Sequence, residues 1–316
     1  MSETVESAEA AGAAGDGGER SARRETIRRI VQGDLASLRV VIGLALIWII
    51  FQSQNDRFLS SENLTNLGLQ ITAVGLISVG IVYVLLLGEI DLSVGAVSGL
   101  AAAVMAVLNV KHGWNPYLAI FAAVLVGTGI GLLQGFLFSR FGVPSFVVTL
   151  AGLLAWQGAL LEVLGSTGSI NITDPKITGL ANTFYSDAVG WIFAAIAIAG
   201  FGAVLALGYK RRRDAGLAAE NPTSLIVRFV LVAVVVIAAV LVFNSDRGLP
   251  LAVLILVAFV VGMEYLVKMT GFGRHVFAVG GNAEAARRAG IKVNGVRVAS
   301  LGDLGGAIGA SLLVSR

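Results

Sequence analysis

Apolar runs long enough to cross a lipid bilayer follow one another along most of this 316-residue chain. Several reach 18 or more residues with few or no charges, the length needed to span roughly 30 Å of hydrocarbon. That layer offers no water to backbone N–H and C=O groups, so each crossing segment must satisfy its own hydrogen bonds. Composition agrees: 56% of residues are hydrophobic and 14% charged, where soluble domains carry about 25% charged residues. The fold class that follows is an all-α polytopic membrane protein.

Nine crossing segments are expected, at about 37–52, 68–88, 92–110, 117–138, 144–164, 191–209, 226–243, 249–267 and 296–314. Residues 1–34 are polar and rich in small residues, then basic, and read as a disordered cytoplasmic tail. The transmembrane domain then covers 35–316. Basic residues set the orientation. Arg23, Arg24, Arg28 and Arg29 precede the first segment and put the N-terminus inside. Alternation from there places Arg140, the run Lys210–Arg213 and the basic residues between Lys268 and Arg297 inside as well. The segments assigned outside carry only Arg57, Lys111, Lys176 and Arg247. The net charge of +3 is thus a topology signal, not a nucleic-acid-binding face. Glycines at Gly95/Gly99, Gly127/Gly131/Gly135, Gly302/Gly306 and Gly305/Gly309 form small-residue stripes suited to close helix packing.

Other chemistry is excluded. There is no cysteine and there are two histidines, so Cys or His metal sites are ruled out. None of Lys111, Lys176, Lys210, Lys268 and Lys292 sits in a phosphate-binding G-x-x-x-x-G-K-[ST] loop. No Ser/His/Asp arrangement supports hydrolysis, so neither a catalytic residue nor a cofactor is expected.

The stretch "LLLGEIDLSVGAVSG", residues 85–99, sets Glu89 and Asp91 between two long apolar runs with no polar spacer. Two readings follow from the spacing. In one, Gly88 ends a helix and Asp91 caps the next, its charge complementing the helix dipole. In the other, the acids form a working site, because intramembrane carboxylates cost about 2.5–3.5 kcal/mol and usually have a job. A second stretch, "VPSFVVTLAGLLAWQG" (143–158), opens a crossing segment with Pro144 in the first turn. A third, "GFGRHVFAVGGNAEAARRAGI" (271–291), contains a turn at Gly280–Gly281–Asn282 and then a helix of about two turns. Asn282 is its N-cap, Glu284 lies in the first turn, Arg287 and Arg288 in the last, and Gly290 fits the C′ position. So short a helix needs a surface to dock on. A plain amphipathic loop helix is the competing reading, whereas a dinucleotide-binding fold fails because the glycines do not match G-x-G-x-x-G. The polar loop 165–190 has room for a short helix and reads as a connector.

"GEIDLSVGAVSGL" resembles the E-I-D-L-S-V-G signature of the ribose/galactose/xylose branch of bacterial ABC importer permeases, with Glu89, Asp91, Ser93 and Gly95 as signature and gating residues. The 143–158 and 271–291 stretches resemble the next two blocks of that family, in family order. The segments 191–209 and 226–243 look most like the xylose branch. The resemblance implies a permease subunit that moves a monosaccharide such as xylose through the bacterial inner membrane. Its implied partners are a separate ABC ATPase, a periplasmic or lipoprotein sugar-binding protein, a second permease chain and membrane lipid. In an importer the loop 165–190 would help receive the sugar-loaded binding protein. It implies that the loop of about 268–295 docks the ATPase through Gly280, Gly281, Asn282, Glu284, Ala285, Ala286, Arg287 and Gly290. Family permeases continue past the equivalent of Arg316, which implies a chain shortened at its C-terminus. Asp303 departs from the family pattern, where a small uncharged residue is general. The alternative is an ion-coupled transporter using Glu89, Asp91, Glu264 and Asp303, although no inverted repeats support it.

Overall fold

The apolar runs are interrupted at Asn-Pro, Asp-Pro and Gly, and the computed structural model shows what each interruption does. It describes residues 42–217 and 221–300. Residues through Ser60 form a unit of their own. There α1 (Ile42–Gln54) ends in a turn stapled by Gln52, whose side chain accepts from Leu59 N–H (2.9 Å), while Phe51 stacks on Phe58.

The second unit is a bundle of spans. They are α2 (Ser61–Leu86), α3 (Val94–Ala106, continued by a π-turn at Val107–Lys111), α4 (Pro116–Phe141) and α5 (Ser145–Leu164). After the short α6 (Pro175–Asn182) and β1 (Phe184–Tyr185) come α7 (Asp187–Asp214) and α8 (Pro222–Asn244). Strand β2 (Leu249–Pro250), α9 (Leu251–Met269), α10 (Gly271–Gly281) and α11 (Ala283–Arg288) follow, and residues 293–300 are helical. Three helices start the same way: Asn115, Asp174 and Asn221 each precede a proline and accept a hydrogen bond from the N–H two residues on. Proline at the first helical position loses nothing, since that N–H has no helical partner.

Among the described residues seven helices are long and apolar enough to cross a membrane. The 26 residues of α2 or α4 reach about 39 Å. The expected first and ninth segments run into residues outside those described, as do Asp303 and the glycine stripes from Gly302 onward. The second segment begins at Ser61, earlier than the expected 68. The polar turn Ser61–Asn66 lacks an apolar signal but carries Glu62 in the first helical turn, where the dipole favours it.

Helix α3 with its π-turn is the centre and the most buried of the seven spans, whereas α8 and α9 are the least buried. Val94, Val97 and Leu100 of α3 join Val84 of α2 and Ile130 and Phe138 of α4 in one core. Gly99 takes the Leu160 side chain of α5 against its backbone, whereas Gly95 meets no neighbour within 4 Å, so close packing accounts for one glycine of that pair. At the opposite end from the α2–α3 turn, β1 and β2 pair antiparallel, Phe184 with Pro250 and Tyr185 with Leu249. Arg247 ties this clasp down by stacking on Phe184 and donating to Asn66 Oδ1 (2.6 Å). Gly248 has φ +93°, and a Cβ there would overlap the Tyr185 carbonyl.

Both strain and overlap oppose any side chain at Gly248. Gly248→Ala is expected to destabilise the fold by about 1–3 kcal/mol, read as a lower thermal midpoint in detergent. Gly200→Ala, whose Cβ meets no atom within 4 Å in mid-helix, should not lower the midpoint. Equal midpoints for both variants would remove the clasp from the account.

Candidate functional site

The break between α2 and α3 covers residues 87–93, and almost all of its polar groups are accounted for. Helix α2 closes on a left-handed glycine, Gly88 at φ +77°. Gly88 N–H donates to Leu85 O (2.9 Å) and Glu89 N–H to Val84 O (3.1 Å), the paired bonds of a Schellman motif. Helix α3 opens at Ser93, which corrects the expectation that Asp91 is the cap. Val97 N–H bonds to Ser93 O, making Ser93 the N-cap residue. Asp91 lies two residues earlier and folds an Asx turn: its Oδ1 accepts from Ser93 N–H and from the Ser93 hydroxyl, both at 2.7 Å. Burial pushes the Asp91 carboxyl above its ordinary pKa, and the two hydrogen bonds from Ser93 limit the rise.

The remaining donors are met by side chains of other helices. Ile90 N–H bonds to Ser145 Oγ and Leu92 N–H to Thr149 Oγ1, both at 3.2 Å. Thr149 also donates toward Ile90 O (3.3 Å). Ser145 and Thr149 are one turn apart on the buried face of α5. Gln134 of α4, also buried, donates to Ser93 Oγ at 3.1 Å. The "PSFVVTL" stretch therefore holds the "EIDLS" stretch by its backbone. Spacing alone gave no sign of this, although two hydroxyls four residues apart in an apolar segment are the pattern to look for.

Glu89 points the other way. Its Oε1 lies 3.0 Å from Arg297 Nη2, and both side chains are largely buried, 14% and 27% exposed. The Arg297 guanidinium also lies 5.8 Å from the Phe138 ring centre. Arg297, Ser145, Thr149 and Gln134 are the site residues missed from sequence.

Arg297 belongs to the segment that follows α11, and the third block gathers beside it. Helix α11 carries the expected caps: Asn282 accepts from Ala285 N–H (2.9 Å) and Gly290 has φ +85°. Glu284 pairs with Arg287 at 2.8 Å and Arg288 at 3.4 Å on the exposed side. Ala286 turns inward to a core shared with Leu87, Val276, Val279, Val293 and Val296. The expected turn at Gly280–Gly281 is corrected, because both glycines end α10. Gly280 is there for proximity: a Cβ would overlap the Leu86 carbonyl, so α10 lies directly on the end of α2. The four glycines of 271–281 hide this helix from propensity reasoning, although Thr270 caps it and Phe272, Val276 and Val279 give it one apolar face.

The three blocks thus meet in space. The chain is similar to known proteins over the same region. The family description "Branched-chain amino acid transport system / permease component" matches residues 63–313. The xylose transport system permease protein XylH of Escherichia coli K12 is 33% identical over 280 residues, 88% of this chain and 71% of the relative. Its namesake in Haemophilus influenzae is 35% identical over 276 residues, 83% of this chain and 73% of the relative. The ribose import permease protein RbsC of Bacillus subtilis is 30% identical over 287 residues, 90% of this chain and 70% of the relative. No solved structure matches the chain.

If Thr149 serves the Leu92 N–H, Thr149→Val should strand that buried donor and lower stability by about 1–3 kcal/mol. Thr149→Ser should stay near the parent. The check is thermal unfolding in detergent, and a Val variant as stable as the parent counts against the hydrogen bond.

Proposed function

The chain belongs to the permease-component family of the branched-chain amino acid transport systems, and from that premise we propose a pentose importer worked through the α11 docking helix. It is the membrane-spanning permease subunit of an ABC sugar importer, a transport subunit and not an enzyme. The family description is broader than its members. The relatives at 33–35% identity carry xylose, not an amino acid, in their names, which favours xylose or a similar pentose as cargo. As a multi-pass inner-membrane protein of this kind it works with an ATPase subunit and a sugar-binding protein. Nine crossings with a cytoplasmic N-terminus, and a second permease chain completing the pathway, are our reading of the charge pattern and the family resemblance.

The observation that carries the coupling proposal is the geometry of α11. Glu284, Ala285, Arg287 and Arg288 are exposed, while Ala286 is buried against the end of α2. Closure of an ATPase on that exposed face would move α11 as a unit with α10. The shift reaches α2 through Leu87 and Gly280, reaches the α2–α3 turn through Glu89 and Arg297, and reaches α5 through Ser145 and Thr149. Glu89 and Asp91 on this reading transmit motion and do not touch sugar.

Ala285→Cys in this cysteine-free chain tests the docking surface: crosslinking in native membranes is expected to capture an ABC ATPase. Ala286→Pro breaks the Ala286 N–H to Asn282 O bond and should abolish uptake with membrane insertion intact. Uptake that survives Ala286→Pro rejects the coupling role. Uptake that fails with a protonophore while ATP is maintained selects ion coupling instead.

A further inference from the structure

Among the described residues, helices α7 and α8 form a hairpin whose buried positions all lie at one end. The buried residues are Gly190 and Ala194 near the start of α7, and Val240 and Phe243 near the end of α8. Asn244 locks that end by donating to Asp187 O. Toward the far end a groove of about 440 Å³ lies between the two helices, within the range of small-molecule sites. Gly202, Leu205 and Tyr209 line one wall, and Leu225, Ile226 and Phe229 the other. The Phe229 ring packs onto the bare backbone of Gly202 (3.0 Å from where a Cβ would stand) and makes the floor.

The groove is apolar along its length, and at its mouth the exposed cations outnumber the one exposed acid, Asp214. Tyr209 is followed at once by the exposed residues Lys210, Arg211 and Arg213. Arg213 lies one turn beyond Tyr209 and so shares the groove's face. The amino end of α8 opens at the same mouth, with Pro222 in the lining and Asn221 as its cap. An apolar slot closed by cations at the membrane edge matches one molecule in its surroundings: a lipid with acyl chains and an anionic phosphodiester headgroup.

We propose that the free end of the α7–α8 hairpin is a binding site for an anionic phospholipid, acyl chain in the groove and headgroup phosphate on Arg213 and the flanking Lys210. The site lies away from the α2–α3 turn and α11, and its occupancy is measured without any transport assay.

The test uses the full chain, delipidated in detergent, and native mass spectrometry with added lipids of identical acyl chains. Phosphatidylglycerol should be retained over phosphatidylcholine by about tenfold. The double variant Lys210→Gln, Arg213→Gln should lose that preference, Arg211→Gln on the opposite face should keep it, and Ile226→Trp should reduce retention of both lipids by filling the slot. Equal retention of the two lipids by the parent protein overturns the proposal, as does a preference unchanged in the double variant. Ready disulfide dimerisation of an Ile226→Cys variant in membranes would also overturn it, by giving the groove to a second copy.

Discussion

Stopping one membrane helix and starting another within seven residues frees backbone groups where little water is at hand to take them. Everything around residues 87–93 follows from meeting that demand. Gly88 turns the chain and returns two N–H groups to α2. Asp91 serves Ser93 locally, and Ser145 and Thr149 serve Ile90 and Leu92 from another helix. Because those hydroxyls are fixed on α5, the turn cannot shift without either moving α5 or stranding a donor, at about 1–3 kcal/mol each. A polar requirement of the backbone has become a mechanical joint between three helices.

The same joint extends to α11 by a different physics. Ala286, Leu87, Val276 and Val279 make a small apolar core, and the Glu89–Arg297 pair adds a charged strut beside it. A packed core transmits displacement because it has no slack to absorb it. The α7–α8 hairpin contrasts with this region in every respect. It is pinned at one end, open to its surroundings at the other, and takes no part in the hydrogen bonds of the turn.

Much of this was readable from residues alone. The apolar runs declare spans because hydrocarbon thickness sets their length. The caps of α11 were legible one by one, since Asn282, Glu284, Arg287, Arg288 and Gly290 each act within a single turn of chain. Asp91 was read as a cap and is an Asx turn instead. The two differ only in which N–H opens the helix, a matter decided by Ser93 and the helix beyond it. Thr149, Gln134 and Arg297 were illegible because their partners are distant in sequence, and no local rule pairs Arg297 with Glu89. Gly280 looked like a turn because glycine has two uses, and only the proximity of Leu86 tells them apart.

The length of chain between Glu89 and Arg297 has a consequence in time. About two hundred residues separate the partners, so at 5–20 residues per second roughly 10–40 s of synthesis pass between them. Asp91 meets Ser93 almost as soon as it is made, and α5 arrives about sixty residues later, within ~3–12 s. Glu89 alone waits, an unpaired acid at the edge of the bilayer through the insertion of every intervening span. The ion pair is therefore the last bond of the joint to close during biogenesis, and until it closes the nascent permease carries a chemical mark of being unfinished.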